Sequence, residues 1–433
     1  MMHLIKRNFW YLSLLLPLVA ACDDDNGTKD APTQTSTITI ENVLDSKPLS
    51  QTGTFQGDGT PPVILPGKSI TIHFSAAKGE ALSFATMYGW SNDLFFAPEN
   101  PGIAVYDAGG MPIEGDVSAQ IKLWDNGTRL NQAPGATVTH PGSADVKNIT
   151  EVVGQDAQGN TYLPVSSLMK ATLDYNGNST FDLTIENISG GTANETPFSP
   201  GVWTVSYIVG GVLTDAMPLY TKDQPTANGL TGIAELGDNA ALSTYANSMK
   251  GIFTPLSPIL VVVYNGIENP IFKVGENDRG EGLTEIAQKG NADVLAGYLR
   301  GAAGVKEVYV LPAPTTKVLL PKINGQAGGM VSQAFTYSTG DRIAIATMYG
   351  FSNDWFFTNV ENGVDAAIKG DISKSIALYN DGTAIDQFPG AGITQFNLAG
   401  TPLSESKVIE VVPNPNPFTT LPTIENFISV KIQ

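Results

Sequence analysis

The sequence predicts a mostly β protein built as two tandem antiparallel β-sandwich domains, the second with short inserted helices. Three observations carry that expectation. Charged residues make up only 15% of the chain while glycine fills 45 positions, a balance that suits short strands joined by many turns. Several short segments alternate apolar and polar residues, the period of a half-buried strand. One block also occurs twice. Residues 86–96 read Thr-Met-Tyr-Gly-Trp-Ser-Asn-Asp-Leu-Phe-Phe and residues 347–357 read Thr-Met-Tyr-Gly-Phe-Ser-Asn-Asp-Trp-Phe-Phe, identical at nine of eleven positions.

The first residues read as an export signal. Lys6 and Arg7 precede an apolar stretch, Phe9 to Ala21, too short to span a bilayer as a mature helix. Residues 1–21 therefore have the layout of a cleaved secretory signal peptide. The stretch ends Leu18-Val19-Ala20-Ala21-Cys22, and Cys22 is the one cysteine in the chain. Small residues before a cysteine are what lipoprotein signal peptidase admits. Lipidation of Cys22 is expected, with the membrane as a partner through acyl chains whose buried methylenes contribute about 0.8 kcal/mol each. Asp23, Asp24 and Asp25 open a polar stretch to about Thr35. Residues 22–35 lack large apolar side chains and read as a flexible tether. An acidic run after a lipidated cysteine is a surface-export tag in some bacteria, an inner-membrane retention signal in others, and a plain spacer elsewhere. The localisation adopted is the bacterial cell envelope, at the outer membrane or cell surface rather than the inner membrane.

Charge narrows the partners. Removing residues 1–21 deletes two basic residues and no acidic ones, taking the formal charge from −18 to −20. Nucleic acid and anionic lipid surfaces need basic patches, so neither is an expected partner, whereas cations are permitted. A single cysteine excludes internal disulfides, leaving cores or metals to provide stability.

The repeat continues beyond its strongest block. Gly115-Asp116-Val117 matches Gly370-Asp371-Ile372. Leu123-Trp124-Asp125-Asn126-Gly127-Thr128 matches Leu378-Tyr379-Asn380-Asp381-Gly382-Thr383. Gln132, Pro134 and Gly135 match Gln387, Pro389 and Gly390. Matched blocks in one order indicate an internal duplication, and a period above 200 residues indicates domains rather than a solenoid. Ser69–Phe74 alternates Ile70, Ile72 and Phe74 with Thr71 and His73. Ala81–Met87 and Arg342–Met348 are apolar runs rich in strand-favouring residues. Each ends in Tyr-Gly and a polar Ser-Asn-Asp, which places Asp93 and Asp354 in loops directly after a strand. Val105–Asp107, Gln120–Trp124, Thr180–Glu186, Val202–Val209 and Leu260–Tyr264 read as further strands. The Asp-Asn-Gly and Asn-Asp-Gly steps read as turns, because these residues tolerate positive φ.

Two segments carry helical periodicity: Leu230, Ile233 and Ala234 with Leu242, Tyr245, Ala246 and Met249, then Leu283, Ile286 and Ala287 with Val294, Leu295, Tyr298 and Leu299. Both lie in the second half, with no counterpart in the first. The expected domains are therefore 36–178 and a longer 179–433.

The second half, in order, carries Leu183-Thr-Ile-Glu-Asn187, Thr196-Pro-Phe-Ser-Pro200, Gly282-Leu-Thr-Glu-Ile-Ala287, Ser352-Asn-Asp-Trp-Phe-Phe357 and Leu378-Tyr-Asn-Asp-Gly-Thr383. This series resembles the spondin N-terminal (F-spondin/mindin-type) domain family across nearly all of 180–390. The first half resembles it from Ile38 to Gly135, without the helices. The resemblance implies C2-like antiparallel sandwiches and, by analogy with the family's animal members, an extracellular binding or adhesion role. It also implies a Ca²⁺ site where two loops meet. The matching positions are Asp93, Asp125 and Asn126 in the first copy and Asp354, Asn380 and Asp381 in the second. Asp116 and Asp371 would join if their loops lie at the same end. Two departures weigh against the family pattern: its last aspartate is Arg129 in one copy and Ala384 in the other, and an arginine opposes a cation. Ca²⁺ takes six to eight oxygen ligands, which converging loops supply. The competing reading is structural, with Asp93 and Asp354 accepting backbone N–H bonds as turn formers. The aromatic residues Trp90, Phe95, Phe96, Phe351, Trp355, Phe356 and Phe357 read as core packing.

Enzyme signatures are absent. Beyond the signal peptide the histidines are His73 and His140, in no metal-ligand spacing. There is no G-x-S-x-G elbow, P-loop or dinucleotide fingerprint. A carboxylate-pair hydrolase needs no local motif and stands as the third reading. First stands a calcium-braced binding or adhesion module for an extracellular or envelope protein or glycan. Second stands a structural envelope protein without specific ligand or metal.

Overall fold

Burial on one face or two decides how the strands are layered. The computed structural model describes residues 33–360 and 362–433; the expected signal peptide, the expected lipidation at Cys22 and the expected tether as far as Pro32 lie outside the described residues. The last tether residues, Gln34 and Thr35, instead open the strand Gln34–Asn42, because they pair with Tyr337 and Thr336. In Ser69–Ser75, Ile72 and Phe74 are buried while Thr71 and His73 face outward, so one face suffices. In Ala81–Met87 every residue is buried, and in Asp341–Met348 nearly every one. Such strands need cover on both faces.

That cover comes from a three-layer arrangement present twice. The first large sheet runs in the order Leu49–Phe55, Gly201–Ser206, Ala81–Met87, Leu94–Pro98, Ile121–Asp125, Thr150–Glu151, with Ile103–Ala104 paired to Ala81–Met87. The second runs Val305–Leu311, Ile259–Asn265, Asp341–Met348, Trp355–Asn359, Ile376–Asn380, Glu410–Val411, with Val364–Asp365 paired to Asp341–Met348. Each opposes a four-stranded sheet. One is Ser69–Ser75, Thr180–Asn187, Met169–Gly177, Gly115–Asp116; the other is Met330–Tyr337, Gln34–Asn42, Ile428–Ile432, Gly370–Asp371. Leu173 and Leu183 of the first small sheet meet Phe84 and Leu123 of its large sheet. Ile38 and Val430 of the second meet Val261 and Phe357.

Helices cover the outer faces. Helices α1 (Leu230–Leu236) and α2 (Ala240–Met249) lie on Met87, Phe95 and Val202. Helices α3 (Leu283–Lys289) and α4 (Asp293–Leu299) lie on Leu260, Val262 and Phe356. The Ile259–Asn265 strand serves both layers, sending Val261 and Val263 into the sandwich and Leu260 and Val262 under the helices. Among the described residues no helix is long and apolar enough to cross a membrane.

The mostly β class holds, but the chain divides differently from the expected 36–178 and 179–433. The expected boundary falls inside a hairpin, in which Met169–Gly177 pairs with Thr180–Asn187 and Leu173 faces Leu183. Gln34–Asn42 belongs to the second sandwich, where Ile38 faces Gln333 on one side and Ile432 on the other. The first sandwich thus spans Leu49 to Met249, inserted between the opening strand of the second sandwich and its remainder. Nor does the first sandwich lack helices, since α1 and α2 are its own. The strand expected at Val105–Asp107 is instead Ile103–Ala104, followed by an isolated bridge from Tyr106 to Pro112. The sandwiches lie within one compact unit, Thr33–Gln433. Between them, Gln387 donates to the Ser179 hydroxyl at 3.1 Å, as does the Ile393 N–H at 2.7 Å.

Two sequence pairs record this division. Thr39-Ile-Glu-Asn42 repeats as Thr184-Ile-Glu-Asn187, and Thr196-Pro-Phe-Ser-Pro200 as Thr254-Pro-Leu-Ser-Pro258. Asn187 Nδ2 donates to Ile64 O and Thr196 O, both at 2.8 Å. Asn42 Nδ2 donates to Thr254 O at 3.0 Å and Leu319 O at 2.9 Å. Each fully enclosed amide ties a small-sheet strand to the segment that enters its large sheet. Asn187→Ala leaves Ile64 O with only the Phe198 N–H and Thr196 O with only the Ser189 hydroxyl, and removes the acceptor of the Ser189 N–H. It is expected to cost roughly 1–3 kcal/mol, read as a lower urea midpoint. An unchanged midpoint would show the staple to be dispensable.

Glu80 sets a pH dependence. It is 2% exposed, its Oε2 accepts the Ala77 N–H at 2.8 Å, and its Oε1 has no partner. Burial pushes this carboxyl well above its ordinary 4.5. The folded state therefore holds the proton more tightly than the unfolded one. The associated stability is full below pH 4.5 and is lost as pH rises through the folded-state value. Glu80→Gln should flatten that slope, raising the melting temperature relative to the parent at pH 8 but not at pH 4. Parallel pH profiles for the two proteins would refute the assignment.

Candidate functional site

Strand pairing brings the predicted loops together. Leu94–Pro98 pairs antiparallel with Ile121–Asp125, Leu94 facing Asp125. The loop before one strand therefore adjoins the turn after the other. Trp355–Asn359 and Ile376–Asn380 repeat this, Trp355 facing Asn380. The Asn126 N–H donates to Asp93 O and the Asp381 N–H to Asp354 O, both at 3.1 Å.

Each residue of the repeated Ser-Asn-Asp has a distinct task. The Ser91 hydroxyl donates to Tyr88 O at 2.7 Å and accepts from the Leu94 N–H at 3.0 Å, closing the turn. Ser352 does the same with Tyr349 and Trp355. Asn92 pins the following long loop, donating to Thr139 O at 2.7 Å and accepting the Gln132 N–H at 3.0 Å. The aspartates hold the turn. Asp93 Oδ2 accepts the Thr128 and Arg129 N–H groups, both at 2.8 Å. Asp354 Oδ2 accepts those of Thr383 at 2.7 Å and Ala384 at 2.9 Å.

The turn-forming role uses only one oxygen of each carboxylate. Asp93 Oδ1 and Asp354 Oδ1 are buried without a partner, as are Asn126 Oδ1 and Asp381 Oδ1 at the matching turn positions. All four residues are fully enclosed. Burial, reinforced by Asp125, pushes the Asp93 carboxyl up to about 6. Burial alone dominates at Asp354, also raised to about 6. Asp381, buried and facing Asp278, rises to about 7. Unpartnered buried carboxylate oxygens are costly unless a proton or cation compensates them.

The two sites differ in how that compensation is provided. In the first, Arg129 Nη2 meets Glu235 Oε2 at 2.8 Å, with Asp93 close enough to favour the charged guanidinium further. Asp125 is taken up by the Gly127 N–H at 2.8 Å and Asn131 Nδ2 at 2.7 Å. In the second, Ala384 replaces Arg129 and Gln288 stands where Glu235 stands. Asp381 replaces Asn126, its Oδ2 accepting the hydroxyls of Thr383 at 2.9 Å and Thr284 at 3.1 Å. Asn380 turns away, its Oδ1 accepting the Gly382 N–H at 2.6 Å and its Nδ2 donating to Asp386 at 2.9 Å. Asp386 also accepts Trp355 Nε1 at 2.7 Å, and burial followed by Asp354 pushes its carboxyl up to about 7. The flanking pairs Asp145–Lys147 and Glu405–Lys407 recur in both copies.

Of the sequence candidates, the structure thus gathers Asp93 with Asn126 and Asp354 with Asp381, while Asp125 and Asn380 serve the turns. Asp116 and Asp371 stand apart. Each accepts a serine N–H, Ser118 at 2.8 Å and Ser373 at 2.9 Å, in the turn that opens the strand whose far end carries Asp125 or Asn380. Five strand residues put them about 16 Å away. Thr284, Gln288, Asp386 and Glu235 were missed by the sequence reading. For Thr284, Gln288 and Glu235 a signal existed: the matched frames Gly229-Leu-Thr-Gly-Ile-Ala-Glu235 and Gly282-Leu-Thr-Glu-Ile-Ala-Gln288. The aromatic residues are core, Phe95, Phe96, Phe356 and Phe357 being fully enclosed, with Trp90 alone partly exposed.

Among the described residues no three carboxylate, histidine or cysteine side chains converge closely enough to hold a metal by themselves. An ion at either turn would draw part of its shell from amide, hydroxyl and backbone oxygens and water, as Ca²⁺ does. No protein-family model matches the chain, and no curated protein matches it.

Proposed function

We propose that the chain is a lipid-anchored envelope protein displaying two spondin-like binding modules, and that the loop end of the second is braced by a Ca²⁺ ion. It is not read as an enzyme. The observation that carries the ion is the pair of fully enclosed, unpartnered oxygens Asp354 Oδ1 and Asp381 Oδ1, in a site without an arginine. A divalent cation there would offset both carboxylates and hold the Ser352–Asp354 loop against the Asp381–Ala384 turn. The first site fits an ion poorly, because Arg129 already places a positive charge beside Asp93 and one of its free oxygens belongs to the neutral amide Asn126.

The binding-module role and the anchor at Cys22 rest on the sequence resemblance and the signal-like N terminus. The structural reading has its own support, since Asp93 and Asp354 do cap turns through Oδ2. Thermal unfolding of residues 33–433 with excess calcium and with a chelator separates the two. At one hundred times its dissociation constant the ion should add about 2.7 kcal/mol, whereas superimposable curves would favour the structural reading.

A further inference from the structure

The two sandwiches differ at a groove beside these loops. In the first, Pro61, Val63, Trp90, Pro197, Pro200 and Leu236 line an open groove of about 490 Å³. Its floor repeats in the second: Met87, Gly89, Trp90 and Pro197 correspond to Met348, Gly350, Phe351 and Pro255. The local packing repeats as well. A Cβ on Gly237 would meet Ser199 Cβ at 2.9 Å, and one on Gly290 would meet Ser257 Cβ at 2.8 Å.

In the second sandwich that floor is occupied by the chain itself. The turn Phe396–Leu398 lies over it: Asn397 Nδ2 donates to Gly350 O and lies 3.5 Å from Met348 Sδ, while Leu398 packs on the core. The matching loop of the first sandwich is too short to do this. Both loops are anchored alike, Gln132 Oε1 accepting the Thr139 N–H and Gln387 Oε1 that of Thr394. Both also close alike, Leu130 N–H on Ser143 O and Ile385 N–H on Leu403 O. Between those points the first loop spans 139–143 and the second 394–403, five residues more. The shorter loop sets His140 in the groove wall, its Nδ1 3.2 Å from Glu235 O, and leaves the Gly89 carbonyl without the amide that its counterpart receives.

We propose that this groove binds a peptide turn of a partner protein that carries an asparagine followed by an apolar residue, in the manner in which Asn397 and Leu398 sit on the matching floor, where Phe396 stays exposed. Asn donates to Gly89 O, and the apolar residue after it lies against Trp90 and the prolines. Leu236, 65% exposed at the lip, closes over the turn. The site supplies a ligand class for the binding-module reading but depends on neither the calcium ion nor the lipid anchor.

The test titrates residues 33–433 with a synthetic peptide of residues 394–400, following tryptophan fluorescence and, by chemical-shift mapping, the Gly89–Trp90 amides. Saturable binding is expected, weakened at least tenfold by Asn→Ala in the peptide and abolished by Leu236→Glu in the protein. Leu236 is exposed, so that variant should melt like the parent. Three results would overturn the proposal: no saturation at millimolar peptide, binding indifferent to both substitutions, or shifts in Gly89–Trp90 produced by an N-acetylated sugar and not by the peptide. A null calcium result in the melting experiment would leave this outcome unchanged.

Discussion

Ile40→Asp should unfold the second sandwich while leaving the first folded, although Ile40 lies in the first strand of the chain. Ile40 is fully enclosed and faces Val331 on one side and Val430 on the other. Truncating a buried isoleucine to alanine costs about 2–5 kcal/mol, and a carboxylate in its place adds the penalty of burying a charge. The strand is internal to its sheet, so its loss also breaks the ladders to Met330–Tyr337 and Ile428–Ile432 together. Hydrogen exchange by mass spectrometry locates the damage. Segments 259–265, 343–348 and 428–432 should lose protection, while 81–87 and 169–187 keep theirs. A tandem division of the chain makes the opposite forecast, with protection lost across 36–178.

The second large effect concerns Asp354 and Asp381. Asp354→Ala removes the acceptor for two turn N–H groups as well as the free oxygen. It should lower stability even in chelator, by about 1–3 kcal/mol, and abolish the calcium response. Asp381→Asn is the sharper probe. It recreates the residue found at position 126, keeps an acceptor for Thr284 and Thr383, and removes one negative charge. Its melting temperature in chelator should equal or exceed the parent's, because a buried unpartnered carboxylate is relieved. Its gain on adding calcium should fall well below the parent's 2.7 kcal/mol or so under the same excess. Asp93→Asn should leave the calcium response intact. A response that follows Asp93 and not Asp381 would reverse the assignment of the two sites.

Much of this architecture was legible in the residues. Alternation in Ser69–Phe74 named its buried face correctly, and the twin helical frames marked the residues that α1 and α3 bury. The Tyr-Gly-x-Ser-Asn-Asp block put Asp93 and Asp354 in loops, and the Asp/Asn-Gly steps put Asn126 and Asp381 in the turns they meet. What alternation cannot name is a partner, since a period of two fixes which face of a strand is buried and nothing about which sheet receives it. Gln34–Asn42 and Thr180–Asn187 have nearly the same pattern and sit in different sandwiches, an assignment set by long-range pairing. The roles within the site were blurred for a related reason. Asn380 and Asp125 carry ligand-type side chains, but short-range N–H donors at Gly382 and Gly127 claim them first. Asp386 joins only because Trp355 and Asn380 reach it across the turn.

The most direct test of the central claim is a calorimetric titration of calcium into chelator-treated residues 33–433, alongside Asp381→Asn and Asp93→Asn. The calcium proposal predicts one ion per chain, lost in Asp381→Asn and retained in Asp93→Asn. No heat of binding in the parent, or one ion that survives Asp381→Asn, would contradict it.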